Sequence, residues 1–157
     1  MPLFNVSEIF EFAIQIEENG EKFYRKVAQK IENQGLKKTF NFLADQEVKH
    51  KAVFKEMASE LDKYEPPESY PGEYFTYLKS YAENLIFPKE LEKDSLSAND
   101  ITSALDFAIR RELDSILYYQ DVKGFISKAF ENKIEKIIEE ERKHFIQLSE
   151  IKMKKKK

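Results

Sequence analysis

The chain contains no cysteine. That single absence excludes disulfides, thiolate zinc sites, iron–sulfur clusters and a cysteine nucleophile. No apolar run approaches the ~20 residues of a transmembrane helix. The opening Met-Pro-Leu-Phe-Asn lacks the basic stretch and apolar core of a signal peptide, so a cytoplasmic protein is expected. An excess of one charge is missing too. The balance is 26 basic against 29 acidic residues, net −3, which gives neither nucleic acid nor an anionic membrane a reason to bind. Glycine and proline number only four and five, and most of them punctuate. What remains is 157 residues with 41 % hydrophobic content, enough for one domain with a proper core.

The apolar residues recur at three and four, which is helical spacing. Asn5-Val-Ser-Glu8 reads as a cap, and Ile9, Phe12, Ala13, Ile16, Gly20, Phe23, Val27 and Ile31 then mark a helix over about 6–32. Asn33-Gln34-Gly35 stops it. A second helix carries Leu36, Phe40, Leu43, Val53, Phe54, Met57 and Leu61 on one stripe and ends at Pro66-Pro67. So short a joint makes the two helices antiparallel neighbours, a hairpin over 6–63. Residues 64–97 form a crossover long for a bundle, with Tyr70, Tyr74, Tyr77 and Tyr81 spaced for packing and a short helix expected over about 73–85. A crossover of that length can return the chain along the bundle, so that the third helix runs parallel to the second. The second hairpin spans 98–153. Ser97-Ala-Asn-Asp100 caps the third helix, Gly124 ends it, and the fourth runs from about Ser127 to Met153. The Lys-rich end, 152–157, is expected to fray.

Only two histidines are present, His50 and His144, and each has a glutamate three residues earlier, Glu47 and Glu141. Residues three apart share a helix face, so each pair can grip one metal ion. With 22 glutamates in the chain, a Glu at that spacing arises by chance about once in seven, and both together at about 2 %. The chain also repeats itself. Phe12-Ala-Ile-Gln-Ile-Glu17 resembles Phe107-Ala-Ile-Arg-Arg-Glu112 at an offset of 95 residues, a Tyr follows each Glu by seven (Tyr24 and Tyr119), and the two Glu-x-x-His pairs are offset by 94. Independent features that keep register carry more weight than any one motif. Any single helical Glu would ordinarily sit at the edge of an apolar stripe. Six residues in matched pairs argue instead that Glu17, Glu47, His50, Glu112, Glu141 and His144 face the interior. Four carboxylates balance two divalent cations. Two trivalent cations leave an excess that one oxo bridge cancels. Oxygen and imidazole donors suit iron or manganese rather than tetrahedral zinc.

At these residues the sequence resembles the ferritin-like di-iron carboxylate proteins, whose bundles take a Glu from each of two helices and a Glu-x-x-His from each of the other two. Within them it is similar to the rubrerythrin branch, through Ala13–Tyr24, Glu112–Tyr119 and Glu139–His144, a likeness over about 5–150. The resemblance implies an all-α ferritin-like four-helix bundle of two antiparallel hairpins joined by a long crossover with a short extra helix. It implies Glu47 and Glu141 as ligands bridging two metals, Glu17 and Glu112 as terminal or chelating ligands, and one metal each for His50 and His144. Tyr24 and Tyr119 would donate to ligand carboxylates, each more readily to one from another helix. The cofactor implied is two iron ions, oxo-bridged when oxidised, with manganese or a mixed pair as alternatives. The activity implied is reduction of hydrogen peroxide or dioxygen, with electrons from a separate donor such as rubredoxin, in a homodimer. Rubrerythrins carry a further Glu where this chain has Ser115, which sets it apart from their exchange of a metal between His and that Glu. They also carry a rubredoxin-like domain with four cysteines. Gly20, on the core face, gives room beside the metals or allows close helix packing. Two other readings stay open: ferroxidase-type iron storage or delivery, and a metal-carrying protein without turnover.

Overall fold

The computed structural model describes residues 4–64, 69–70, 76–77, 80, 93, 95–124 and 126–155. Four long helices dominate them: α1 (Val6–Lys30), α2 (Gln34–Tyr64), α3 (Ala98–Lys123) and α4 (Lys128–Lys155). Side-chain ties fix their directions. Arg25 bonds Asp45 at 2.5 Å and Lys51 bonds Glu18 at 2.8 Å, so α1 and α2 are antiparallel. Lys123 with Glu135, and Lys152 with Asp106, do the same for α3 and α4. Tyr118 donates to the Ile9 carbonyl while Tyr24 donates to Glu112, which sets α3 antiparallel to α1. The third helix is therefore parallel to the second, the direction that a crossover of this length permits.

The helix boundaries follow local chemistry. Ser97 starts α3 with a capping box: its hydroxyl accepts the Asp100 N–H at 3.1 Å, and the Asp100 carboxylate accepts the Ser97 N–H at 2.9 Å. Gly124 closes α3, its N–H reaching Asp121 O. At the first hairpin the sequence reading needs correcting. Asn33 does not stop a helix so much as start one, because its Oδ1 accepts the Leu36 N–H at 3.0 Å and the helix then includes Gln34 and Gly35. Of the Lys-rich end, residues 152–155 belong to α4, where cations favour a helix C-terminus, and 156–157 lie outside the described residues. A two-residue antiparallel pairing, β1 (Phe4–Asn5) with β2 (Ser69–Tyr70), ties the N-terminus to the crossover in the register Phe4↔Tyr70 and Asn5↔Ser69. Of the short helix expected over 73–85, residues 76, 77 and 80 are described and are helical, and Tyr77 is exposed; the rest of it, with Tyr74 and Tyr81, lies outside the described residues.

The interior is divided. One apolar cluster gathers Ile9, Phe10, Ile16, Phe54, Met57, Ile134 and Ile138. The other gathers Phe23, Val27, Phe40, Leu43, Leu105, Ala108 and Leu148. On each helix the positions between these clusters are polar and buried: Glu17 on α1, Glu47 and His50 on α2, Glu112 on α3, Glu141 and His144 on α4. No described helix is long and apolar enough to cross a membrane.

Ser97→Ala removes the α3 cap and is expected to lower stability by about 1 kcal/mol in urea unfolding at neutral pH. The Ser97 N–H, the Lys93 ammonium and the Ser97 hydroxyl hold Asp100 down at about 2, below its usual 3.8. A depressed carboxylate stabilises fully above its unfolded value and loses that contribution as pH falls through the folded one. The stability gap between wild type and Asp100→Asn should therefore close between about pH 4 and pH 2. A gap that persists to pH 2 would contradict the capping box.

Candidate metal centre

Burial of the six polar residues is nearly complete. The four glutamates are fully buried, and His50 and His144 are 2 % and 3 % exposed. They form two overlapping groups. Glu17, Glu47, His50 and Glu141 bring one ligand atom each within 4.8 Å of one another, and so do Glu47, Glu112, Glu141 and His144. Glu47 and Glu141 belong to both. Seven atoms of the six side chains make no hydrogen bond: Oε2 of Glu17, Glu47 and Glu112, both carboxylate oxygens of Glu141, and Nδ1 of each histidine. Buried polar atoms in folded proteins are nearly always paired. Seven orphans converging on one space are the signature of donors arranged around cations.

The surroundings hold the donors in place. Tyr24 donates to Glu112 Oε1 at 2.5 Å, and Tyr119 donates to Glu17 Oε1. Each phenol lies seven residues after its own helix's glutamate, about two turns away, and so reaches the glutamate of the other hairpin. Burial pushes both phenols well above their usual pKa, which keeps them protonated and able to donate. His50 Nε2 lies 2.6 Å from Glu140 Oε2, while its Nδ1 faces Glu141 Oε1 at 2.8 Å. With Glu140 against Nε2, it is Nδ1 that faces the cluster, the carboxylate–histidine arrangement of metal sites. His144 turns Nδ1 inward too, 3.6 Å from Glu141 Oε2. In the internal repeat Gln46 takes the place of Glu140, so the two imidazoles are not backed alike.

Electrostatics mark the crowding. Burial, then the charges of Glu141 and Glu17, push Glu47 well above the carboxylate range, with Arg111 acting the other way. Burial would raise Glu141 as well, but its contacts with His144 and His50 outweigh it and hold the group low. Burial works to lower His50; the carboxylates of Glu17 and Glu141 overcome it and raise the imidazole to about 11. Mutual compensation of this kind is the state a bound cation displaces.

Two neighbours, Glu140 and Arg111, were not singled out by sequence, and Ser115, noted there only as a departure from the family, joins them at the cluster. Glu140 looked like one of three consecutive glutamates. Ser115 is buried with its hydroxyl unpaired. Arg111 is 3 % exposed; its Nη1 donates to Glu47 Oε1 at 3.3 Å and its Nη2 to the Ile16 carbonyl at 2.5 Å. The available signal for Arg111 was the repeat, which sets it opposite the core residue Ile16. Two cavities open between α2 and α4 on this face. One of about 380 Å³ has His50, Lys49, Lys133, Lys136 and Glu140 in its wall. The other, about 340 Å³, has His144, Phe42, Gln46 and Glu140.

The model of the rubrerythrin family matches residues 8–152. Among solved structures, the chain is similar to a Thermotoga maritima protein described as a candidate ferritin-like diiron-carboxylate protein, with 30 % identity, a TM-score of 0.73, and coverage of 98 % of this chain and 97 % of that one. A hypothetical protein from Pyrococcus furiosus aligns with a TM-score of 0.74 at 21 % identity, over 96 % of this chain and 89 % of that one, and shares the fold. No curated protein matches.

Tyr24→Phe and Tyr119→Phe each keep the ring and leave a buried carboxylate oxygen without its donor. Each should cost roughly 1–3 kcal/mol in urea unfolding. Unfolding curves that superimpose on wild type would contradict the two bonds.

Proposed function

The chain belongs to the rubrerythrin family and folds as a ferritin-like bundle, and from that premise we propose that it is a di-iron carboxylate oxidoreductase that reduces hydrogen peroxide, or dioxygen, with electrons from an external donor. The observation that carries this reading is the pair of four-residue groups sharing Glu47 and Glu141. Glu17 and His50 would hold one metal, Glu112 and His144 the other, and the two shared carboxylates would bridge them. The unpaired donors are oxygens and imidazole nitrogens, a set suited to iron or manganese. An iron pair, when bound, supplies the two electrons that breaking a peroxide O–O bond takes, two solvent protons completing two waters.

The protein's own part is to hold and to exclude. Tyr24 and Tyr119 fix the terminal carboxylates Glu112 and Glu17. Glu140 fixes the His50 ring. The apolar clusters above and below close the site along the bundle axis, leaving the α2–α4 face, where the two cavities meet His50 and His144, as the approach for a small oxidant. With no cysteine among these residues, the reducing electrons reach the centre from another redox group, for which a rubredoxin is the natural class. The family likeness is also the support for a homodimeric, cytoplasmic protein.

Stopped-flow mixing of the di-ferrous protein with peroxide should show oxidation far faster than that of free ferrous ion in the same buffer. Equal rates would refute the enzyme reading. In elemental analysis, Glu47→Ala should lose both metals, because both depend on that carboxylate. Loss of only one would make Glu47 a terminal ligand instead.

A further inference from the structure

Arg111 is the one arginine buried among the described residues, and it lies against the carboxylate cluster. Its position is made by a missing side chain. A Cβ at Gly20 would stand inside van der Waals contact of Arg111 Cζ, Nη1 and Nη2, the farthest of the three 2.8 Å away. Gly20 thus costs α1 about 1 kcal/mol of helix propensity relative to Ala, and the space it leaves is filled by a guanidinium. The seat is shaped for that group. Nη2 donates to the Ile16 carbonyl, the one the Gly20 N–H meets in a regular helix. Nη1 reaches Glu47, and Cζ stands 5.8 Å from the centre of the Tyr24 ring. Arg111 thereby ties α3 to both helices of the other hairpin. The internal repeat has no second copy of the device, since Ile16 and Ser115 stand where Arg111 and Gly20 have their counterparts.

The charge count changes accordingly. Four carboxylates and two neutral imidazoles balance two divalent cations with nothing left over; Arg111 adds one fixed positive charge. We propose that Arg111, seated in the Gly20 notch, is a built-in counter-cation of the carboxylate cluster that stabilises the protein before metal arrives and opposes the metal charge afterwards. This inference rests on the di-metal reading of the cluster, but its first half concerns the protein without metal. Removing the guanidinium leaves four crowded carboxylates with less compensation, so the metal-free chain weakens. It also removes a repulsive charge beside two dications, so the metals bind more tightly. A side chain that merely filled space would lower stability with and without metal alike and would leave affinity unchanged.

The experiment uses the full chain, Arg111→Met, Gly20→Ala and the double variant, unfolded in EDTA and in saturating Mn²⁺, with Mn²⁺ affinity measured by competition against a chelating dye. Arg111→Met should lower the melting temperature in EDTA, enlarge the rise that Mn²⁺ produces, and tighten Mn²⁺ binding by about tenfold or more. Gly20→Ala should destabilise the wild-type chain by displacing the guanidinium, yet stabilise the Arg111→Met chain, where only helix propensity remains. Unchanged or weaker Mn²⁺ affinity in Arg111→Met overturns the counter-cation. Equal effects of Gly20→Ala in both backgrounds overturn the notch. If Arg111→Met fails to fold, Gly20→Ala alone carries the affinity test in the same direction. A wild-type chain that takes up a pair of neither Mn²⁺ nor Fe²⁺ ions refutes the di-metal reading and the second half of the proposal, while the cycle in EDTA still decides the first.

Discussion

Glu17, Glu47, Glu112 and Glu141 are buried side by side in the middle of an apolar bundle. Like charges in such a place repel one another and forfeit their hydration, so they persist only with compensation. The rest of the interior supplies it. Two phenols donate from the opposite hairpin, two imidazoles turn Nδ1 inward, and a guanidinium leans in from α3. Even so, seven donor atoms remain unpaired. A bundle built only for stability would have filled these positions with leucine. That the sequence keeps six ionisable residues here, in matched pairs, is the physical reason to read the cluster as a place for cations.

The hairpins divide the labour. Each contributes a Glu from its first helix and a Glu-x-x-His from its second, and each sends a tyrosine across to hold the other's carboxylate. Assembly of the hairpins and assembly of the site are thus one event. The apolar clusters on either side supply the burial that drives it. The symmetry is incomplete, however. Arg111 faces Gly20 where the repeat offers Ile16 and Ser115, and Glu140 backs His50 where the repeat has Gln46. The two halves of the centre therefore sit in different fields.

Much of this was legible in one dimension because it depends on periodic spacing. Apolar residues at three and four gave the helices, the short joint gave the first hairpin, and the offset of 95 between Glu17 and Glu112 exposed the repeat. Glu47 with His50 was credible only once Glu141 with His144 matched it. What escaped was contact between distant residues. Arg111 is one of 26 basic residues and adjoins Glu112, so nothing in its local sequence separates it from a solvated helix face. Only its partner, Gly20 on another helix, explains either residue. Glu140 was hidden in the same way, since its bond is to His50 ninety residues away. Asn33 misled because Asn both ends and begins helices, and the deciding bond from Leu36 N–H is local geometry rather than composition. The pairing of Phe4–Asn5 with Ser69–Tyr70 is too short to leave any alternation.

Anomalous diffraction at the iron edge, on crystals of the iron-loaded protein, tests the dinuclear centre most directly. Two peaks are expected, both in contact with Glu47 and Glu141, one beside Glu17 and His50 and the other beside Glu112 and His144. A single peak, or peaks away from these carboxylates, would contradict it.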